Sequence, residues 1–377
     1  MKQKGGKFMK SIHPLAKKHL EKVAPYIPGK PIEEVARELG IPPEKIIKLA
    51  SNENLLGPSY RALKILRKKI KEVNFYPDDT CFYLRKKIAE IHNVSMDEVF
   101  VGNGSVEIIY LLGFAFLGEN DSVAYCKGSF PIYDIVADVV GAEKISPPLK
   151  KENKAVDPIA LLNSIKQNTK IVFMSNPNNP TGTYFTHEEA KYIVENSPQN
   201  VLLVFDEAYS EFVDAPDFPN VFSFYKDYPN VCIMRTLSKT VGLAGLRVGY
   251  MIARKEIIET LHKVRYPFNV NLLAQYAAIY ALEDKEFMER TYKVIKKERK
   301  FLYKQFKKLG LKFLPSQTNF IYVEFPKDVN FIYNELLKRG VITRPIGPLF
   351  PNALRITIGK REHNLYLIKC LEEVLKS

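Results

Sequence analysis

The stretch Met234–Tyr250, "MRTLSKTVGLAGLRVGY", decides the fold. It closes the apolar run of "NVCIMRTLSK", which reads as a strand with Ser238 and Lys239 at its end. Arg247 follows Lys239 by eight residues, among the small residues Gly242, Ala244, Gly245 and Gly249. A lysine at a strand end with little bulk around it is partly desolvated. That lowers its pKa and leaves an amine able to attack an aldehyde. A surface position is the commoner fate of any single lysine, so the neighbours must decide.

Other segments repeat this pattern of a strand ending in polar residues. "EVFVGNGS" is a strand running into a glycine loop ahead of the apolar helix "VEIIYLLGFAFLG". "TKIVFMSNPNNPTG" ends in a Pro-rich turn carrying Asn179, and "NVLLVFDEAYSEF" runs into Asp206 and Tyr209. Thr186, followed by Glu188 and Glu189, reads as the cap of the next helix. Short apolar runs alternating with helices indicate a parallel sheet covered on both faces. In such sheets, ligands bind beyond the carboxyl ends of the strands. Gly104, Ser105, Asn179, Asp206, Tyr209, Ser238 and Lys239 should therefore converge.

Taken singly, these signals leave alternatives. Gly102–Ser105 suits an anion held at a helix N-terminus, and equally suits an ordinary turn. Asp206, at the mouth of a buried strand, needs a partner or it takes up a proton. The six histidines show no ligand spacing, so no metal site is expected.

The rest of the chain sets the frame. Residues 59–72 read as a helix with Leu63, Leu66 and Ile70 on one side, and a long helical stretch begins near Leu272. The fold class expected is α/β, with a large domain over 48–271. A smaller α+β domain would combine 1–47 with 272–377, including the strands in "FIYVEF" and "LRITIG". The chain has 377 residues, 56 basic against 42 acidic, for a net charge of +14. The basic residues are spread along helical faces, as in "ERTYKVIKKERKFLYKQFKKLG", where Tyr292, Ile295, Leu302 and Phe306 form an apolar stripe. This reads as solvated lysine rather than a nucleic-acid surface, though the field favours anionic substrates. The four cysteines form no CxxC pair, and the longest apolar run, Ile108–Leu117, is too short to span a bilayer. The expectation is a cytoplasmic protein with no membrane partner; Met9 is an alternative start to Met1.

"SNPNNPTG", "FDEAYSEF" and "LSKTVGLAGLRVGY" together resemble the motifs of fold-type I pyridoxal-phosphate aminotransferases. "LASNENLLGPS", "YPDDTCFYLRKKIA", "VGNGS", "TRPIGPLFPNALRITIG" and "APYIPGKP" extend the resemblance to the histidinol-phosphate aminotransferase family, from about Tyr26 to Gly359. The resemblance implies pyridoxal 5'-phosphate as cofactor. Lys239 would hold it and shuttle a proton, and Asp206 would pair with its ring nitrogen. Tyr209 and Asn179 would bond its phenolic oxygen, and Phe130 would stack on its ring. Its phosphate would meet the amides of Gly104, Ser105 and Val106, with Ser238 and Arg247. Tyr76 would reach the neighbouring subunit's cofactor phosphate in a homodimer. Tyr26 and Arg344 would serve the substrate phosphate, and Arg355 a carboxylate. Asn179 also falls on the substrate side.

The implied reaction is ping-pong transamination between L-histidinol phosphate and 2-oxoglutarate, in histidine biosynthesis. A threonine-phosphate decarboxylase or an aromatic or broad-range aminotransferase could use the same residues. The chain departs from the family pattern at Val106, often an acid, and Leu55, often a proline.

Overall fold

A computed structural model describes residues 13–376; the alternative starts Met1 and Met9 lie outside them. Strands β1 (Ile47–Lys48) and β11 (Val341–Ile342) form a small parallel pair. The central sheet holds β2 (Val99–Gly102), β3 (Ser122–Tyr125), β4 (Glu143–Ile145), β5 (Thr169–Ser175), β6 (Leu202–Asp206), β7 (Val231–Thr236) and β8 (Gly249–Ile252). Their order is β2-β8-β7-β6-β5-β3-β4. β8 runs antiparallel to both β2 and β7, and the other pairs are parallel. The apolar runs are continuous because helices cover both faces: every residue of β2, β3 and β8 is buried.

A second sheet, β9 (Lys312–Phe313), β10 (Phe320–Glu324), β12 (Arg344–Pro345) and β13 (Ala353–Thr357), has the order β12-β13-β10-β9. It is antiparallel and has its own apolar core with the helices Val329–Lys338 and Arg361–Lys376. The α/β architecture with a mostly parallel central sheet is as the sequence predicts.

Local signals account for the helix limits. Thr186 and Glu189 form a reciprocal capping box on helix His187–Asn196. Ser59 caps helix Tyr60–Lys69, whose last turn tightens into Ile70–Glu72. Ala62 and Ile65 are buried, Leu63 and Leu66 are half-buried with Leu66 packed on the core, and Ile70 is 52% exposed. The long helical stretch is broken into Leu272–Leu282 and Lys285–Lys308, with Asp284 capping the second helix. The first of these packs on helix Tyr60–Lys69, so its alanines join the core of the central sheet. The lysine-rich second helix also buries two charges: Glu298 pairs with Arg361 at 2.8 Å and Arg299 with Asp214 at 3.0 Å. Among the described residues no helix is long and apolar enough to cross a membrane.

Candidate active site

The carboxyl ends of β5, β6 and β7 open into a cavity of about 330 Å³. Of the residues to which the resemblance assigns a cofactor or substrate role, all line it except Gly104 and Tyr76.

Lys239 lies three residues beyond the end of β7. Its Nζ lies 3.3 Å from the carbonyl oxygen of Ser51 and 5.7 Å from the centre of the Tyr209 ring. Burial pushes its pKa down to about 7, and the charges of Arg355 and Arg247 add to the effect. An amine so poised is a nucleophile near neutral pH.

Asp206, the last residue of β6, is 4% exposed. Burial pushes its carboxyl up to about 6, although Oδ2 accepts a 2.6 Å hydrogen bond from the Tyr133 hydroxyl and Oδ1 accepts from the Ala208 amide at 3.2 Å. No cation among the described residues lies within ion-pair distance of it. A buried carboxylate lining a cavity, with no cation in contact, suits a cationic ligand atom.

Between these groups sits the Tyr209 hydroxyl. It accepts from Asn52 Nδ2 at 2.9 Å and from Asn179 Nδ2 at 3.5 Å. Asn179 Oδ1 accepts from Arg355 at 2.7 Å, and the second terminal nitrogen of Arg355 donates to the Ala50 carbonyl at 2.5 Å. Arg355 Nε is buried without a partner, and the guanidinium lies 5.4 Å from the centre of the Phe320 ring. Arg355 on β13 stands opposite Arg344 on β12. Arg344 donates to the Ile27 carbonyl at 2.7 Å and sits 6.0 Å from the Tyr26 ring, which draws the N-terminal segment over the cavity. Phe130 forms a side wall, edge-on to Tyr133.

The other end is built for an anion. Ser105 and Val106, which line the cavity, begin helix Ser105–Phe116, whose first amides have no acceptor within the helix. Arg247 takes a left-handed backbone (φ 56°) and donates to the Ala244 carbonyl at 3.0 Å. A Cβ on Gly104, itself at φ 79°, would come within 2.5 Å of the Arg247 guanidinium. Ser238 accepts from the Thr236 hydroxyl at 3.1 Å, which leaves its own proton for a ligand. The acid of the first helical turn, Glu107, is taken by the Asn103 amide and by Asn269 Nδ2.

The small residues behind Lys239 divide into two groups. A Cβ on Gly242 would meet the Gly57 carbonyl oxygen at 2.4 Å, and one on Gly249 the Ser105 amide at 2.6 Å. These two permit close backbone approach. Gly245 faces open space. Tyr76 stands apart from the cavity, 81% exposed and stacked on Phe268 at 4.6 Å. Tyr133, Asn52 and Thr236 were not anticipated. Asn52 lies within the quoted "LASNENLLGPS", whereas nothing local marks Tyr133.

Residues 44–371 match the family of class I and II aminotransferases. The histidinol-phosphate aminotransferase of Akkermansia muciniphila is 43% identical over 97% of this chain and 100% of its own length. The chain belongs to the class I and II aminotransferases. Within that family, the histidinol-phosphate aminotransferase of Caldicellulosiruptor saccharolyticus is 41% identical over 94% of this chain and 98% of that protein. Among solved structures, the histidinol-phosphate aminotransferase of Clostridium acetobutylicum superposes with a TM-score of 0.80 at 27% identity, covering 88% of this chain and 99% of that one. The Sinorhizobium meliloti enzyme, crystallised with pyridoxal-5'-phosphate, shares the fold with a TM-score of 0.89 at 24% identity, covering 98% and 99%. In this aminotransferase the central sheet carries Lys239 and Asp206, and the second sheet carries Arg344 and Arg355.

Proposed function

We propose that this aminotransferase uses pyridoxal 5'-phosphate to transfer an amino group between L-histidinol phosphate and 2-oxoglutarate. The observation that carries the reading is one cavity with a low-pKa lysine, a buried acid with no cation within ion-pair distance, and an end lined by N–H, hydroxyl and guanidinium donors. Each feature suits one part of this cofactor: its aldehyde, its ring nitrogen and its phosphate. The names of the relatives support the substrate, as do the two arginines on the second sheet.

When bound, the cofactor supplies the carbonyl that takes the amino group and a ring that accepts the electron pair released at the substrate Cα. The residues of the chain then have separate tasks. Lys239 holds the cofactor and, once displaced by substrate, moves the Cα proton on its Nζ. Asp206, fixed by Tyr133, keeps the ring nitrogen protonated. Tyr209 and Asn179 bond the phenolic oxygen, and Phe130 packs on the ring. The amides of Gly104, Ser105 and Val106, with Ser238 and Arg247, hold the phosphate. Val106 sits at a position where only the backbone is needed for that task. Arg355 takes the carboxylate of glutamate; Arg344 and Tyr26 take the substrate phosphate.

The reading includes a cytoplasmic homodimer in which Tyr76 reaches the neighbour's cofactor phosphate. The exposure of Tyr76, with Phe75, Tyr60 and Tyr83, supports this. Sedimentation of a fully active monomer would count against it.

The decisive experiment is a half-reaction. The chain is loaded with pyridoxal phosphate, L-histidinol phosphate is added without keto acid, and the cofactor absorbance is followed. A spectral change that 2-oxoglutarate reverses is expected. A spectrum unmoved by histidinol phosphate but changed by threonine phosphate, with release of carbon dioxide, would overturn the substrate assignment.

A further inference from the structure

Outside the active site, a lysine-rich cleft lies between the loop at 148–154 and the edge strand β9 with its neighbour β10. Two adjoining hollows of about 750 and 640 Å³ share Lys154, Lys312, Tyr322 and Glu324 and form one groove. Six lysines face it: Lys127, Lys150, Lys151, Lys154, Lys307 and Lys312. Glu324 is the one acid in its lining. Lys150 is taken by Glu189, and Lys154 stands 4.0 Å from Glu324. Lys127, Lys151, Lys307 and Lys312 have no acid partner among the described residues. A concave surface lined by one sign of charge focuses its field on any anion within it.

Two further observations make the groove more than a solvated face. Lys154 is held at φ 54°, a left-handed backbone unusual for a long side chain; Arg247, at the anion end of the active site, is held likewise at φ 56°. The turn around Lys154 is tied down, because its amide donates to the Lys150 carbonyl at 2.9 Å and its carbonyl accepts from Thr183 at 3.0 Å. The groove also has apolar walls. Tyr322 meets Phe350 edge-on at 5.5 Å, and Tyr303 stacks on Phe313 at 4.8 Å. Lysine ammonium groups bind phosphate as point charges without needing a planar fork. Carboxylate recognition, by contrast, favours arginine, and no arginine lines this groove.

We propose that the groove binds an oligophosphate, either inorganic or the triphosphate of a nucleotide, at a site separate from the active site. The ligand would bridge the 148–154 loop and the second sheet. Tyr322 in the groove stands directly opposite Arg355 in the β10–β13 register, so the site lies one strand pair from the substrate arginine.

The test uses the cofactor-loaded protein and calorimetric titration with tripolyphosphate. One site per chain is expected, weakening steeply with salt. K151E/K312E should weaken binding at least tenfold and leave aminotransferase activity without tripolyphosphate unchanged. Arg344→Gln should leave tripolyphosphate binding unchanged. ATP is titrated in parallel. Tighter binding of ATP assigns a nucleotide that uses the aromatic walls, and equal binding assigns the phosphate chain alone. The proposal is overturned by any of three results: no binding, binding that survives K151E/K312E, or binding lost in Arg344→Gln. Citrate binding as tightly as tripolyphosphate would overturn the phosphate assignment.

Discussion

The hydroxyl of Tyr133 donates a 2.6 Å hydrogen bond to the carboxylate of Asp206, joining the helix Ile132–Val140 to the end of β6. Both groups are buried, so this bond is what holds the acid's orientation and favours its charged form. Tyr133→Phe should therefore raise the Asp206 pKa further and weaken cofactor retention. The loss should be about 1.5–3 kcal/mol, the usual worth of a hydrogen bond to a charged group. Cofactor dissociation followed by dialysis and absorbance checks this; unchanged retention would remove Tyr133 from the site.

Asp206 also gives the cofactor-free chain a distinctive pH dependence. Its folded pKa, about 6, lies above the ordinary 3.8. A raised carboxyl pKa contributes stability that is complete below the unfolded pKa and is lost as pH rises through the folded one. The wild type should thus lose about 3 kcal/mol between pH 3.8 and pH 6 and above from this group. Asp206→Asn has no such loss. The variant should be more stable than the wild type at pH 8, with the difference shrinking towards pH 4, in parallel denaturant titrations. It should also be nearly inactive. A stability difference that does not vary with pH would show that Asp206 is not burdened by burial.

Arg355 offers a fork, and its Nε has no protein partner. Arg355→Lys keeps the charge and loses the bidentate geometry. The expected outcome is a fall of about 100-fold in kcat/KM for 2-oxoglutarate, seen mainly in KM. Stability should change little, since lysine can still reach Asn179. Steady-state kinetics with each substrate varied in turn would separate this from a general loss of activity.

Gly104→Ala tests the anion end. The new Cβ would press on the Arg247 guanidinium, on a backbone at φ 79° that alanine disfavours. A stability cost of about 1–2 kcal/mol is expected. The affinity for pyridoxal phosphate should drop by at least tenfold, because the arginine is displaced. Gly245→Ala is the control. No atom lies within 4 Å of its added Cβ, so both quantities should stay near wild type.

Much of this site is legible in the sequence because its groups sit at the ends of unmistakable strands. Asn179, Asp206, Ser238 and Lys239 each follow an apolar run, and a parallel sheet brings such ends together. Tyr133 was not legible. It lies on a helix that no local signal distinguishes, and its partner is 73 residues away in the chain. Asn52 is hidden for the same reason: its bond to Tyr209 spans 157 residues. Glu298 and Arg299 look like two more charges on a lysine-rich helix until Arg361 and Asp214 arrive from elsewhere. The helix break at Asp284 was readable in principle, since aspartate is a preferred cap and this one accepts from the Phe287 amide. The exposed Ile70 shows the opposite limit: it shares a side with Leu63 and the core-packed Leu66, but the chain tightens over Ile70–Glu72 and leaves it in solvent.

Lys239 and Asp206 hang from the central sheet, while Arg344 and Arg355 hang from a second sheet with a hydrophobic core of its own. Under the proposed function, the groups that would break bonds and the groups that would choose the substrate therefore stand on different sheets. Replacements along β12 and β13 can retune which anion is welcomed while the lysine and its acid stay untouched.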